Sequence, residues 1–414
     1  MQVRPTLGWA LALCLATGSL TGCSRSTRAV NKAWDAKSAA AYLDQREITW
    51  MGWPGSARDH GTFCVSCHTV VPYVMSRPML RRALAEPQLS EEERKILQNV
   101  TQRVRLWNEV GPYYAGSGYG DGKPDESRGT ESVLNAVILA SRDAQDGKLS
   151  DVTRLAFKNM WELQRTEGEA KGSWAWLQFG MEPWEANDSQ YYGAALAAIA
   201  TSIAPENYRS SPEIQNKVAL LRDYLDREYG KQSTINRVVL LWASTKLPGL
   251  ADAKRQQEII REVTNEQRSD GGWGLPSLAW PGGWSLHSIV RTHFRSDWSR
   301  QDAQSDGYAT GLITFVLQQA GLPADDARVK RGLSWLAQNQ SSEDGSWPSL
   351  SLAQRRSSSS NVGHFMRDAA TAYAVLALSE SSGSATQKPA GENRAGNVRL
   401  TESRPTSTTT IQRN

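Results

Sequence analysis

Cysteine is scarce in this chain, 4 in 414 residues, and so are histidine, 5, and phenylalanine, 6. Cys14 lies in an N-terminal apolar run and Cys23 ends it, while Cys64 and Cys67 stand three apart; none is left over for a framework of structural disulfides. A strong excess of one charge is also missing. The formal charge is +4, and no cluster of Lys and Arg stands among aromatics, which excludes a nucleic-acid footprint. The apolar stretch Trp9–Leu20 is too short to span a membrane as a mature helix, which takes about 20 apolar residues. What remains is a length that can bury one large core or two ordinary ones.

Tryptophan runs the other way, with 16 against 6 Phe. Trp supplies a large packing surface and one N–H that needs a partner, so an excess of this size points to a repeated structural use and to internal repeats.

The two inner cysteines belong to Cys64-Val65-Ser66-Cys67-His68. This spacing attaches a c-type haem: the thiols form thioethers with its vinyl groups and His68 becomes the proximal iron ligand. A local disulfide or a C-x-x-C redox pair would use the same cysteines. The redox pair belongs in a thioredoxin-like βαβ setting, which this sequence does not offer.

Residues 1–22 read as a signal peptide: Arg4, then the apolar stretch, then small residues. Its end, Leu20-Thr21-Gly22-Cys23, resembles the lipobox of bacterial lipoproteins. The resemblance implies that Cys23 is the first mature residue and carries the lipid, and that Ser24 directs sorting to the periplasmic side of the outer membrane. The alternative is an ordinary cleaved signal and a soluble periplasmic protein. Either way the chain is exported, and covalent haem attachment in bacteria takes place outside the cytoplasmic membrane. One covalent haem c and a periplasmic redox partner are the expectations.

After a polar linker, 23–32, one arrangement recurs: an amphipathic helix, a loop with Gly and Trp, then a helix of small apolar residues. The clearest copy is Arg331-Gly332-Leu333-Ser334-Trp335-Leu336, followed by Gln340, Gly345 and Trp347. Weaker copies are Gln267…Gly271-Gly272-Trp273 and Trp161-Glu162-Leu163-Gln164…Gly172-Ser173-Trp174, and Ala41-Tyr42-Leu43…Trp50…Trp53-Pro54 is a degenerate one. The first of these resembles, position for position, the QW motif of squalene–hopene cyclases and related terpenoid cyclases. The second helices, expected near 61–74, 130–143, 188–200, 234–246, 306–320 and 367–380, are apolar on nearly every face and so are buried on several sides. Six antiparallel pairs with buried inner helices predict an all-α, closed (α/α)6 toroid over 33–381; an open solenoid of helix hairpins is the alternative. Residues 274–304, with His287 and His293, form a long connection, and 382–414 read as a disordered tail.

The repeat register places the haem motif at the start of the first inner helix, from about Thr62. The sixth iron position is either vacant or filled by one of Met51, Met75, Met79, Met181, Met366, His60 and His364, with Met75 depending on a break at Pro72. Asp188, Asp306 and Asp368 are each expected to begin an inner helix, either as N-caps or as a ring of carboxylates at the cavity mouth. His364 and Asp368 are four apart on one helix, which reads as a surface pair. The D-x-D-D acid motif of the terpenoid cyclases is absent, and Asp325-Asp326, the one adjacent pair, sits where an outer helix should be capped. Cyclase activity therefore does not carry over. The function expected is electron transfer or redox chemistry by an exported haem lipoprotein. The alternatives are a haem enzyme or binding protein for an apolar or polycyclic ligand, and a non-catalytic scaffold.

Overall fold

A computed structural model describes residues 33–279, 304–349, 351, 357 and 359–386. Thirteen α-helices occur among them: α1 (Ala36–Gly52), α2 (Val70–Ala83), α3 (Glu91–Arg105), α4 (Lys123–Asp146), α5 (Asp151–Glu162), α6 (Ser189–Ile203), α7 (Gln215–Glu228), α8 (Thr234–Lys246), α9 (Ala253–Asn265), α10 (Leu275–Leu278), α11 (Gly307–Gln319), α12 (Ala327–Gln338) and α13 (Asn361–Thr386). The described residues hold no β-strand, only the isolated bridges Ala57–Phe63 and Met181–Glu185. The protein is all-α. No described helix is long and apolar enough to cross a membrane.

The amphipathic helices α1, α3, α5, α9 and α12 start on side-chain caps that satisfy otherwise orphaned N–H groups. Asp35 accepts from Lys37 N and Ser38 N, Ser150 from Thr153 N, Asp252 from Arg255 N and Asp326 from Arg328 N. Ser90 and Glu93 form a reciprocal capping box at α3. The other class of helix is buried on nearly every side; α11 buries each residue from Gly307 to Leu317. Such a helix needs neighbours all round, and it has them. α2 packs on α4, α4 on α6, α6 on α8, α8 on α11, α11 on α13, and α13 back on α2. The inner helices therefore close a ring. Around it α1 packs on α2 and α13, α3 on α4, α5 on α4, α7 on α6, α9 on α8, and α12 on α11 and α13. Close packing of α11 on α13 depends on Gly311, where a Cβ would come within 2.6 Å of the Ala374 backbone nitrogen.

The three Gln…Gly…Trp turns do one job three times. Trp174, Trp273 and Trp347 are buried, and each indole donates to a backbone carbonyl of the preceding outer helix: Met160, Val263 and Leu336, at 2.6–2.7 Å. Gln164, Gln267 and Gln340 bond the carbonyl of Gly172, Gly271 and Gly345 in their own turn, and each reaches the next outer helix or its cap: Lys217, Arg328 and Asp35. Gln340 thus ties the last repeat to the first helix, accepting from Asp35 N at 2.7 Å and donating to Asp35 O at 2.9 Å. Gly345 (φ 78°) can take part because a side chain there would run into the Ser38 backbone.

Some expectations shift. The first inner helix begins at Val70, not near Thr62, so the cysteine motif lies before it. The backbone around the motif bonds instead to its own loop and to side chains, and Ser66 Oγ accepts from Thr69 N and Val70 N at the helix start. Pro72 falls in the first turn of α2, where its missing N–H costs nothing, so it does not break the helix. The last inner helix starts earlier than expected and runs to Thr386, past the boundary drawn at 381. The signal and linker (1–32, with Cys14, Cys23 and Ser24), the stretch holding His287 and His293, and the tail beyond Thr386 lie outside the described residues.

Candidate functional site

Between α1 and α2 the chain forms a loop that is bonded along almost its whole length. Arg58 N donates to Thr62 O (2.7 Å) and Cys64 N to Ser56 O (2.7 Å), doubling the loop on itself. Asn99 of α3 pairs with Phe63 as a strand would, accepting from Phe63 N at 2.8 Å and donating to Phe63 O at 3.0 Å. Trp50 Nε1 of α1 donates to Cys64 O at 2.7 Å, and Val65 N donates to Tyr113 Oη at 3.3 Å. Below the loop, Arg103 is fully buried and joined by two bonds to the buried Glu131 of α4, at 2.5 and 3.1 Å. Its remaining N–H groups hold Asp59, Thr62 and Gly111. Every backbone and side-chain bond of this kind fixes where Cys64, Cys67 and His68 stand.

These three residues are buried, and the two cysteines are free thiols. Burial pushes the Cys64 thiol up to about 12 and raises that of Cys67 well above its ordinary value. Burial, with a smaller contribution from Arg46, pulls His68 down to about 3, so the imidazole is neutral at ordinary pH. Aromatic rings surround it. Phe365 of α13 stacks on His68 with centroids 3.6 Å apart and planes at 17°, Trp50 meets it edge-on at 5.2 Å, and Trp184 lies 5.7 Å away. Trp184 in turn meets Tyr308 of α11, and Tyr308 meets Tyr373 of α13. His68 Nδ1 is 2.8 Å from Thr69 Oγ1, which donates to Asp368 Oδ2 at 2.9 Å. Asp368 Oδ1 accepts from Tyr42 Oη and Arg46 Nε of α1, both at 2.9 Å.

Two buried acids stand close by. Glu185, in the turn closed by the Met181–Glu185 bridge, is pushed up to about 7 by burial, against the pull of Lys123. Glu47 of α1 is wholly buried, neither of its oxygens has a hydrogen-bond partner, and burial raises its carboxyl well above the usual range.

The expected carboxylate set is only partly at helix starts. Asp306 caps α11, accepting from Ala309 N (3.0 Å), Leu275 N (2.6 Å) and Ser349 Oγ (3.0 Å). Asp188 stands at the cap position of α6 without a side-chain capping bond, and accepts from Ser233 Oγ at 3.1 Å. Asp368 begins no helix: α13 starts seven residues earlier, and the carboxylate is used by Tyr42, Arg46 and Thr69. Nor is its pairing with His364 a surface one, since both approach the Tyr42 hydroxyl, His364 Nδ1 at 3.4 Å. Asp326 does cap an outer helix, α12.

Of the candidate sixth ligands, Met75 and Met79 lie on α2, Met51 near the end of α1 and Met181 in the Glu185 turn. His60 is half exposed beside Asp59, at 3.4 Å. His364 and Met366 flank Phe365, and it is the Phe365 ring that lies against His68. Sequence reasoning missed Thr69, Phe365, Trp184, Arg103, Glu47 and Glu185. The pattern that could have drawn attention to the central rings is a tyrosine in three of the small-residue helices, Tyr192, Tyr308 and Tyr373.

The chemistry of this donor set fits a covalently held haem: two unpaired thiols, one neutral imidazole beside them, and an aromatic shell. Cys64, Cys67 and His68 are the residues that could hold it. No family model matches the chain, and no curated protein matches it.

Proposed function

We propose that this is an exported c-type haem protein, lipid-anchored through Cys23 on the periplasmic side of the outer membrane, that transfers electrons to or from a periplasmic redox partner. The observation that supports the reading is one pinned loop presenting two free thiols and a neutral histidine to the same dry, aromatic surroundings. Cys64 and Cys67 would hold the porphyrin covalently, and His68 would bind its iron. The haem, when bound, supplies a one-electron carrier. The chain's own part is to fix the spacing of its three attachment points, to keep His68 uncharged and to exclude water.

Expression of the full chain with and without haem-maturation machinery tests this. The expected result is one added porphyrin mass and a c-type α-band in the reduced-minus-oxidised spectrum, both lost in Cys64→Ala/Cys67→Ala. Absence of the added mass would leave a helical binding scaffold and end the redox assignment.

A second reading, a haem enzyme acting on an apolar ligand, is favoured by Glu185, whose carboxyl exchanges a proton near neutral pH close to the two cysteines. Carbon monoxide binding by the reduced protein distinguishes the two: binding supports the enzyme, and a CO-insensitive spectrum supports pure electron transfer.

A further inference from the structure

The carboxylate of Asp368 reaches the motif histidine from the far end of the chain. It is ion-paired with Arg46 inside the protein, both side chains being almost wholly buried. Burial raises its carboxyl above the ordinary value, against the pull of Arg46, Tyr42 and Thr69, and in its bonds to all three it is the acceptor, as an ionised carboxylate must be. The single proton of the Thr69 hydroxyl is therefore committed to Asp368 Oδ2, 2.9 Å away. Towards His68 Nδ1, at 2.8 Å, that hydroxyl can offer only a lone pair. A hydrogen bond at this distance then requires the proton on Nδ1, and a neutral imidazole protonated there has its lone pair on Nε2.

We infer that Asp368, acting through Thr69, is the positioning residue that holds His68 in the Nδ1–H tautomer and so leaves Nε2 as the ligand nitrogen. The inference rests on the haem reading for its purpose, though not for its geometry. The same helix supplies the other restraint. Phe365, three residues before Asp368 on α13, lies flat against the imidazole and fixes the plane in which Nε2 can point. Tyr42 and Arg46 hold the carboxylate from α1, so Asp368 cannot turn away without leaving two buried donors unpaired. Outer partners of this kind set the orientation and basicity of a metal-binding histidine, and their loss commonly costs ten- to a hundredfold in what the metal does. Partial negative charge passed from Asp368 through Thr69 to the imidazole favours the oxidised iron.

Thr69→Val is the informative variant. It removes the hydroxyl, keeps the shape and leaves the Asp368–Arg46 pair in place, whereas Asp368→Asn strips a buried arginine of its counter-charge and endangers the fold. Thr69→Ser restores the hydroxyl. In the haem-loaded full chain, Thr69→Val should raise the reduced-to-oxidised ratio at a fixed potential about tenfold, about 59 mV for a one-electron couple, and Thr69→Ser should return it to the parent value. An unchanged potential in Thr69→Val overturns the assignment. The full chain made without haem gives a second readout that does not depend on attachment: histidine nitrogen NMR should show His68 protonated on Nδ1 in the parent and a mixture of tautomers in Thr69→Val. A parent spectrum with the proton on Nε2 also overturns it. If no haem attaches under any condition while the parent tautomer is Nδ1–H, the haem reading fails and the positioning role stands.

Discussion

Glu47 shows most clearly what a single residue costs this protein. Its carboxyl is wholly buried with neither oxygen bonded, and its electrostatic neighbours are Asp368, Asp44 and Glu92 as well as Arg46. Burial is the main reason its carboxyl lies well above the ordinary value in the fold, and Asp368 adds to it. The sign follows. Between the unfolded value and the raised folded one, the folded state holds one more proton than the unfolded state, so stability falls as pH rises through that window. Glu47→Gln cannot ionise and should not lose that stability. Chemical denaturation should find variant and parent alike at pH 4 and the variant more stable at pH 8, by about 1–3 kcal/mol. Equal pH slopes would mean that Glu47 ionises in the fold at no cost. Nothing in the sequence marks this residue: in α1 it looks like one more charge on an amphipathic helix. Asp368 was hidden for the same reason. A short polar residue before an alanine-rich run reads locally as a cap, and only the fold brings Arg46 and Tyr42 to it across more than 300 positions. Cys64, Cys67 and His68 could be singled out together because they stand within five positions of one another.

At the scale of elements, what could be read was what repeats or is local. The Asp326 cap and the Gln–Gly–Trp turns act within a few residues, and the structure has them where the sequence placed them. The start of the first inner helix was misplaced because a repeat register assumes equal loops. Here the loop is lengthened by a segment whose backbone bonds go to Asn99, Tyr113 and itself. The QW glutamine carries a testable energy. Gln340 makes three backbone bonds, to Asp35 N, Asp35 O and Gly345 O, in a largely buried setting. Gln340→Ala leaves these groups without that partner and should lower the unfolding free energy by about 1–3 kcal/mol. Gln267→Ala, which loses bonds to Gly271 O and Arg328 O, should cost a similar amount. Were Gln340→Ala harmless while Gln267→Ala is not, the tie between the last repeat and the first helix would be dispensable.

For the whole molecule the consequence is that, among the described residues, no helix pair stands at an open end. In an open array each unit touches only its neighbours, and the terminal units, held on one side, open first. Here α2 packs on both α4 and α13, and α1 lies against α2 and α13 while Asp35 is gripped by Gln340. The first and last inner helices each pack against two other inner helices, as α6 and α8 do. The loop carrying Cys64, Cys67 and His68 sits at this junction, held by Trp50 of α1 and Asn99 of α3 and touched by Phe365 of α13. Native-state hydrogen exchange can read the closure directly. Central amides of α2 and α13 should be protected as strongly as those of α6 and α8. In Gln340→Ala the protection of α1 should fall by roughly one to two powers of ten, in line with a loss of about 1–3 kcal/mol, while α6 and α8 stay unchanged. An open array predicts the opposite in the parent itself, with α1, α2 and α13 exchanging far faster than the middle helices. That pattern would mean the junction is not held together in solution, and Cys64, Cys67 and His68 would then stand at a frayed end instead of inside a closed wall.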